Sequence, residues 1–156
     1  MNPHQERILI YTDGSCIKNP GGAGTYAFVV VENDVLLHQK SGHEKTTTNN
    51  RMEMMAVLAA LSFVYSDLPN LKVTIFTDSQ YVYNGIVDWM YGWHKRMWKR
   101  QGQDIPNRKL WEQLYEMATT LRHVDYRWVR GHAGNKWNEM ADQLCTSAYK
   151  LATTAK

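Results

Sequence analysis

Two stretches of this chain follow one pattern: Ile8-Leu9-Ile10-Tyr11-Thr12-Asp13-Gly14-Ser15 and Val73-Thr74-Ile75-Phe76-Thr77-Asp78-Ser79. Each is a short apolar, β-rich run closed by an aromatic residue, a threonine, an aspartate and a small residue. Runs of this kind lack the polar alternation of a half-solvated strand, so they read as buried strands. Strands buried on both faces need layers on both sides, which argues for helices packed on a sheet. Both aspartates then stand at the C-terminal ends of strands, where open α/β sheets place their ligands. If the strands are neighbours, the two carboxylates converge. Taken singly, each has a plainer reading. Asp13-Gly14 is a common turn pair, and Asp78 or Ser79 suits a helix cap.

The rest of the chain fits that architecture. Tyr26 to Val31 and Val35 to His38 read as two further strands, with Glu32-Asn33-Asp34 as a hairpin connection. Met52 to Tyr65 is apolar nearly all round and reads as a deeply buried helix, ended by Pro69-Asn70. After the Lys72–Thr77 strand, Ser79 to Trp98 reads as helix with breaks at Gly85 and Gly92. Gln101 to Asn107 reads as a polar loop, Lys109 to Leu121 as an amphipathic helix, and Asp125 to Val129 as a fifth strand. A turn over Gly131–Asn135 leads into a last helix. Trp137, Met140, Ala141, Leu144, Cys145, Ala148 and Ala152 make one stripe there at helical spacing. The order β-β-β-α-β-α-α-β-α predicts a mixed sheet covered by helices. At 156 residues, against about 150 per domain, one domain is expected over 1–156. Its core is expected over about 8–148, with short flexible termini.

Three more residues stand out. Glu53 is the only acid in an otherwise apolar helix, where a buried charge needs a partner. The alternative is a capping box with Asn50 as cap and Glu53 three residues on. Asp142 falls about 60° from Cys145 on the helical wheel, on the shoulder of the apolar stripe. An ordinary solvated aspartate fits that position too. His132 lies between glycines after a strand, in a loop that suits a proton carrier or a phosphate contact, or a plain surface histidine. Carboxylates without cysteine ligands suit Mg²⁺ or Mn²⁺ rather than zinc.

The net charge of +3 is local. The window Trp89–Gln103 holds Lys95, Arg96, Lys99 and Arg100 and no acid, which leaves 14 of the 18 basic residues against 15 acidic ones elsewhere. Trp89, Trp93 and Trp98 are interleaved with these cations. Cations neutralise phosphates and flat rings stack on bases and sugars. An amphipathic helix with core tryptophans is the competing reading. No run approaches the roughly 20 apolar residues of a membrane span, and the N-terminus lacks a signal-peptide stretch. Cys16 and Cys145 are too few and too distant for a disulfide framework or a CxxC site. A cytoplasmic location is expected. Gly22-Ala23-Gly24 precedes a strand and is no dinucleotide loop or P-loop, His43-Glu44 lacks the second histidine of HExxH, and there is no GxSxG elbow.

Four ordered motifs resemble bacterial ribonuclease H type 1: Thr12-Asp13-Gly14-Ser15-Cys16, Thr48-Asn49-Asn50-Arg51-Met52-Glu53, Thr77-Asp78-Ser79-Gln80-Tyr81, and Gly131-His132-Ala133-Gly134 through Asn138-Glu139-Met140-Ala141-Asp142. The resemblance runs from about Ile8 to Ala148. It implies a ribonuclease H-like α/β fold, a five-stranded mixed sheet with three antiparallel and then parallel strands, flanked by helices. It implies an endoribonuclease that hydrolyses the RNA strand of RNA–DNA hybrids with two metal ions, leaving 3′-hydroxyl and 5′-phosphate ends. By motif match, Asp13, Glu53, Asp78 and Asp142 hold two Mg²⁺ ions, which Mn²⁺ can replace. His132 assists proton transfer or product departure, with Glu139 as a secondary influence. Asn19 and Gln80 match contacts to the RNA strand, with Cys16 beside them; contacts to the 2′-hydroxyl explain a preference for RNA. Thr48, Asn49 and Asn107 match a pocket for a DNA-strand phosphate. Trp89, Trp93, Lys95, Arg96, Trp98 and Lys99 resemble a basic protrusion along the DNA strand. A monomer acting on the hybrid, with no membrane partner, is expected.

The sequence departs from the family pattern at Thr46, where many members carry arginine, at Met97, where glycine is common, and at Asn135-Lys136-Trp137 after Gly134. The extra N-terminal hybrid-binding domain of many eukaryotic members is not seen, so processivity is not expected. Two alternatives remain: a DNA-directed metal nuclease of the same fold, separated by a 2′-hydroxyl requirement, and a non-catalytic duplex-binding module, separated by a cleavage assay.

Overall fold

The computed structural model describes residues 7–131 and 133–154, and side chains through 150. Its centre is β1 (Ile8–Cys16), whose odd and even residues feed two cores. On one edge β1 pairs antiparallel with β2 (Gly24–Glu32), which pairs antiparallel with β3 (Val35–Glu44). Asn33 and Asp34 join β2 to β3 with φ of 51° and 61°, the left-handed pair of a tight hairpin turn. On its other edge β1 pairs parallel with β4 (Val73–Thr77), and β4 with β7 (Val124–Trp128). The sheet order is therefore β3-β2-β1-β4-β7, the five-stranded mixed sheet expected.

The twin motifs are neighbours in register. Tyr11 pairs with Phe76 across the parallel strands, and their rings stack with centroids 4.5 Å apart. Asp13 and Asp78 each follow two residues later, so both emerge at the same end of the sheet on the same face. The turn-pair reading of Asp13-Gly14 does not hold, because β1 runs on through Cys16.

Helix α1 (Asn49–Asp67) buries Met54, Val57, Leu61 and Val64 against Ile8, Ile10, Phe28, Val30 and Ile75. Its cap is Thr48, with extended backbone, whose Oγ1 accepts from the Arg51 N–H at 3.2 Å. Asn50 is already helical, so the alternative reading of a capping box of Asn50 and Glu53 does not hold. The other face of the sheet is covered over β1–β3 by α5 (Lys136–Thr154), where Ala141 packs with Tyr11, Val29 and Val31.

The stretch expected as one broken helix is nearly continuous: α2 (Gln80–Asn84), a π-helical turn (Gly85–Trp89) and α3 (Met90–Lys95). Gly85 does not break the helix. A Cβ there would lie 1.9 Å from the ring of Trp111 in α4 (Arg108–Thr120), so glycine serves helix packing. Gly92 sits inside α3. The helix ends before Trp98, because Met97 and Trp98 adopt φ of 57° and 62°. Gln101–Asn107 is not all loop, since β5 (Lys99–Arg100) and β6 (Gln103–Asp104) form a small hairpin.

Candidate active site

Three elements deliver carboxylates to one spot. Asp13 comes from β1 and Asp78 from the end of β4. Glu53 arrives because α1 crosses β1 with almost no gap. At Gly14 a Cβ would sit 2.3 Å from the backbone carbon of Met52 and 2.5 Å from the Glu53 nitrogen. Only glycine allows that approach. One carboxylate oxygen each from Asp13, Glu53 and Asp78 lies within 4.8 Å of the others. Asp142, nearly two turns into α5, is within hydrogen-bonding reach of Asp13, but it lies outside the group whose oxygens come within 4.8 Å of one another. The shoulder position read from its helical spacing thus faces the site.

The electrostatics follow from crowding. Burial, then the charge of Asp78, then Asp142, push the Asp13 carboxyl up to about 8. Burial and then Asp78 also raise Glu53 well above the ordinary carboxylate range. The Gly14 N–H hydrogen-bonds both groups and offsets part of the shift. Glu53 Oε1 and Asp78 Oδ1 are buried without a hydrogen-bond partner. Unpartnered, like-charged oxygens in one buried pocket are costly alone and suited to a hard divalent cation. The donor set therefore fits such an ion.

Asp78 is free for this role because Ser79, not Asp78, caps α2: Ser79 Oγ accepts from the Val82 N–H at 3.1 Å. Trp128 Nε1 donates to the Asp78 carbonyl at 3.1 Å. Gly131 lies against the carboxylate; a Cβ there would stand 2.8 Å from Asp78 Oδ2. The loop that starts at Gly131 thus begins at the site. His132 itself lies outside the described residues. Glu139 is exposed on α5, three residues before Asp142.

The RNase H family model matches residues 5–150. The chain belongs to the RNase H family. As a member it is a nuclease. A ribonuclease H of Chromobacterium violaceum is 43% identical over 141 residues, covering 90% of this chain and 92% of its own length. One from Granulibacter bethesdensis is 45% identical over 143 residues, covering 90% and 91%. A crystal structure of a type 1 RNase H with the type 2 active-site motif superposes with a TM-score of 0.80 at 31% identity, over 92% of this chain and 72% of that one. The solution structure of the PFV RNase H domain shares the fold, with a TM-score of 0.81 at 21% identity over 94% and 96%.

The other residues singled out in this RNase H chain fall into three groups. The first flanks the carboxylates. Asn49 Oδ1 accepts from the Cys16 N–H at 2.7 Å, and the Asn49 N–H donates to Asn19 Oδ1 at 3.1 Å. Cys16 itself is buried, its thiol directed at the carbonyls of Lys18, Gly22 and Thr47, so only its backbone faces this network. The second group centres on Tyr81, which the sequence reading did not assign although it ends the Asp78 motif. Its hydroxyl accepts from Asn107 Nδ2 at 3.3 Å and from Trp111 Nε1 at 3.1 Å. Asn107, with φ 61°, precedes α4. Gln80 is exposed at the start of α2.

The third group is the basic window. Lys95, Arg96, Lys99 and Arg100 are exposed, and Trp89 is 39% exposed. Trp93 is half-buried and packs edge-on against Trp111. Trp98 is 7% exposed and packs against Tyr115 and His94. Its left-handed backbone turns the indole inward, so it is a core residue with little face left for a nucleic acid.

Proposed function

We propose that the protein hydrolyses the RNA strand of RNA–DNA hybrids, leaving 3′-hydroxyl and 5′-phosphate ends. The observation that carries this reading is the convergence of Asp13, Glu53 and Asp78 within 4.8 Å, with Asp142 beside Asp13. Asp13, Glu53, Asp78 and Asp142 would hold two divalent cations, Mg²⁺ or in its place Mn²⁺. Bound there, the ions neutralise charge on the attacking and leaving oxygens of a phosphodiester.

The chain's own groups do the rest. Asn19, Gln80 and the Cys16 backbone are suited to a ribose 2′-hydroxyl, a contact DNA cannot return. Thr48, Asn49 and Asn107 offer polar groups for a DNA-strand phosphate. His132, which follows Gly131 in the sequence, would move a proton or help the product leave, with Glu139 as a secondary group. Trp89, Trp93, Lys95, Arg96 and Lys99 would take the DNA backbone further along, while the buried Trp98 supports them from below. We read 1–156 as one catalytic domain that acts as a cytoplasmic monomer. Among the described residues no helix is long and apolar enough to cross a membrane.

The test is cleavage of labelled RNA–DNA, RNA–RNA and DNA–DNA duplexes side by side in Mg²⁺. We expect cleavage of the hybrid alone, and its loss in Asp78→Asn. DNA cleavage would favour a DNA-directed nuclease of the same fold, and near-normal hybrid cleavage by Asp78→Asn would remove the carboxylate reading.

The basic window gives a second expected result. Replacing Lys95, Arg96, Lys99 and Arg100 by glutamine should weaken hybrid binding and flatten the plot of log affinity against log salt by about 3 to 4, if each cation meets one phosphate. Turnover at saturating hybrid should change little. Anisotropy titrations in EDTA at several salt concentrations measure this, and an unchanged slope assigns the window to another role.

A further inference from the structure

Of the four carboxylates proposed as ligands, Asp142 alone sits on α5. That helix meets the sheet through the buried Asn138, Ala141, Cys145 and Ala148, with Trp137, Met140 and Leu144 packed beside them. Apolar packing is non-directional and does not by itself hold a ligand to the tolerance a cation site needs.

Two buried hydrogen bonds supply the missing direction. Thr25 of β2 donates its Oγ1–H to the Cys145 carbonyl at 2.9 Å. The Cys145 thiol donates to the Asp13 carbonyl at 3.2 Å. Thr25 and Cys145 are each 2% exposed. The register places Asp13 opposite Ala27 and Ser15 opposite Thr25, so Thr25 stands beside Asp13 on the face that receives α5. A ring closes from this. The Asp13 carboxyl meets Asp142, one helical turn leads to Cys145, and Cys145 returns to the Asp13 carbonyl while Thr25 anchors the same turn from β2. Two points of α5 are thus tied to the residue that must share a cation with it. Any slide of α5 would strand the buried Thr25 hydroxyl without a partner, which is costly.

We propose that Thr25 and Cys145 are positioning residues that hold α5 in register over β1 and β2, so that Asp142 stands ready for the cation. The inference rests on the reading of Asp142 as a ligand. Thr25→Val keeps the shape and removes the hydroxyl, whereas Thr25→Ser keeps the donor. Titration calorimetry of the full chain with Mg²⁺ and Mn²⁺, without nucleic acid, reads the effect directly. Thr25→Val should weaken cation affinity by about fivefold to tenfold, at the low end for groups that orient ligands. Thr25→Ser should stay within about twofold, and Cys145→Ala, which loses only a weak thiol donor, should fall between the two. At saturating Mg²⁺ the hybrid KM of Thr25→Val should match that of the parent protein. Wild-type cation affinity in Thr25→Val overturns the proposal. If that variant does not fold, Cys145→Ala decides in the same way. Asp142→Asn separates the two readings: cation affinity lost there but kept in Thr25→Val sinks the clamp alone, and affinity kept in both sinks the assignment of Asp142 itself.

Discussion

Asp13→Asn will abolish hydrolysis and, in metal-free buffer near pH 8, raise the melting temperature. The loss of activity, by about a thousandfold, follows from removing a central charge of the site. The gain in stability follows from the same charge. In the fold, burial and the neighbouring carboxylates of Asp78 and Asp142 push Asp13 from 3.8 up to about 8. Its folded pKa lies above its unfolded one, so the folded chain keeps a proton that the unfolded chain has released. The stabilising effect of that proton is complete below about pH 4 and is lost as pH rises towards 8. A shifted group of this kind lowers stability by up to about 1.4 kcal/mol per pH unit across the interval. Glu53 is shifted in the same direction. Asparagine carries no charge to desolvate. Even half the full effect, about 2–3 kcal/mol, corresponds to a rise of about 5–10 °C for a chain of this size. The advantage should shrink towards pH 4. Saturating Mg²⁺ should raise the melting point of the unsubstituted protein more than that of the variant, since an ion that binds only the folded state stabilises it by mass action. Calorimetric scans at pH 5 and 8, with EDTA and with Mg²⁺, test each part. A variant less stable than its parent at pH 8 in EDTA would mean that the carboxylates are not crowded as described.

The crowding was partly legible in the sequence. The doubled strand–aspartate pattern announced Asp13 and Asp78, because aspartates that follow matching apolar runs stand side by side once those runs pair in parallel, as Tyr11 and Phe76 do. Glu53 was visible as a lone acid on an apolar helix. Its plainer reading failed once Thr48 proved to be the cap, a difference of two residues that spacing alone does not resolve. Asp142 rests on the motif match, since its helical spacing suits a solvated aspartate as well. Other features depend on tertiary approach, which no local pattern encodes. Gly85 must lack a side chain because the Trp111 ring of another helix fills that space. Tyr81 joins Asn107 to Trp111 only because α2 and α4 are adjacent. Trp98 looked like a partner of the basic residues around it, yet two left-handed residues turn it into the core. Charge clustering identified the exposed cations correctly but did not sort the indoles between them.

The second large effect is expected where β1 meets α1. Gly14→Ala adds one methyl group, and its backbone conformation is one that alanine tolerates, since Gly14 is not among the glycines of positive φ. The whole cost is therefore steric. The new Cβ would meet the Met52 carbon at 2.3 Å, the Met52 oxygen at 2.4 Å and the Glu53 nitrogen at 2.5 Å. These are backbone atoms of the first turns of a buried helix, so no side-chain rotation relieves the contact. α1 must move away from β1, and two consequences follow. Burial of Met52 and Met54 against the sheet loosens, and we expect a loss of about 3 kcal/mol, at the upper end for overpacking. Glu53, attached at the point of contact, is carried away from Asp13, and the Gly14 N–H loses its bonds to both carboxylates. Hydrolysis should thus fall by well over tenfold even at temperatures where the variant is fully folded, and Mg²⁺ should raise its melting point less than it raises the parent's. Gly42→Ala is the matched control. Its Cβ would meet the ring end of Tyr26, at 2.3 Å, a half-buried side chain that can swing aside. Urea unfolding of both variants, with cleavage rates at low temperature, measures the difference. If Gly14→Ala keeps the parent's stability and rate, α1 does not lie against β1 as closely as the site requires, and Glu53 is not held there by the fold.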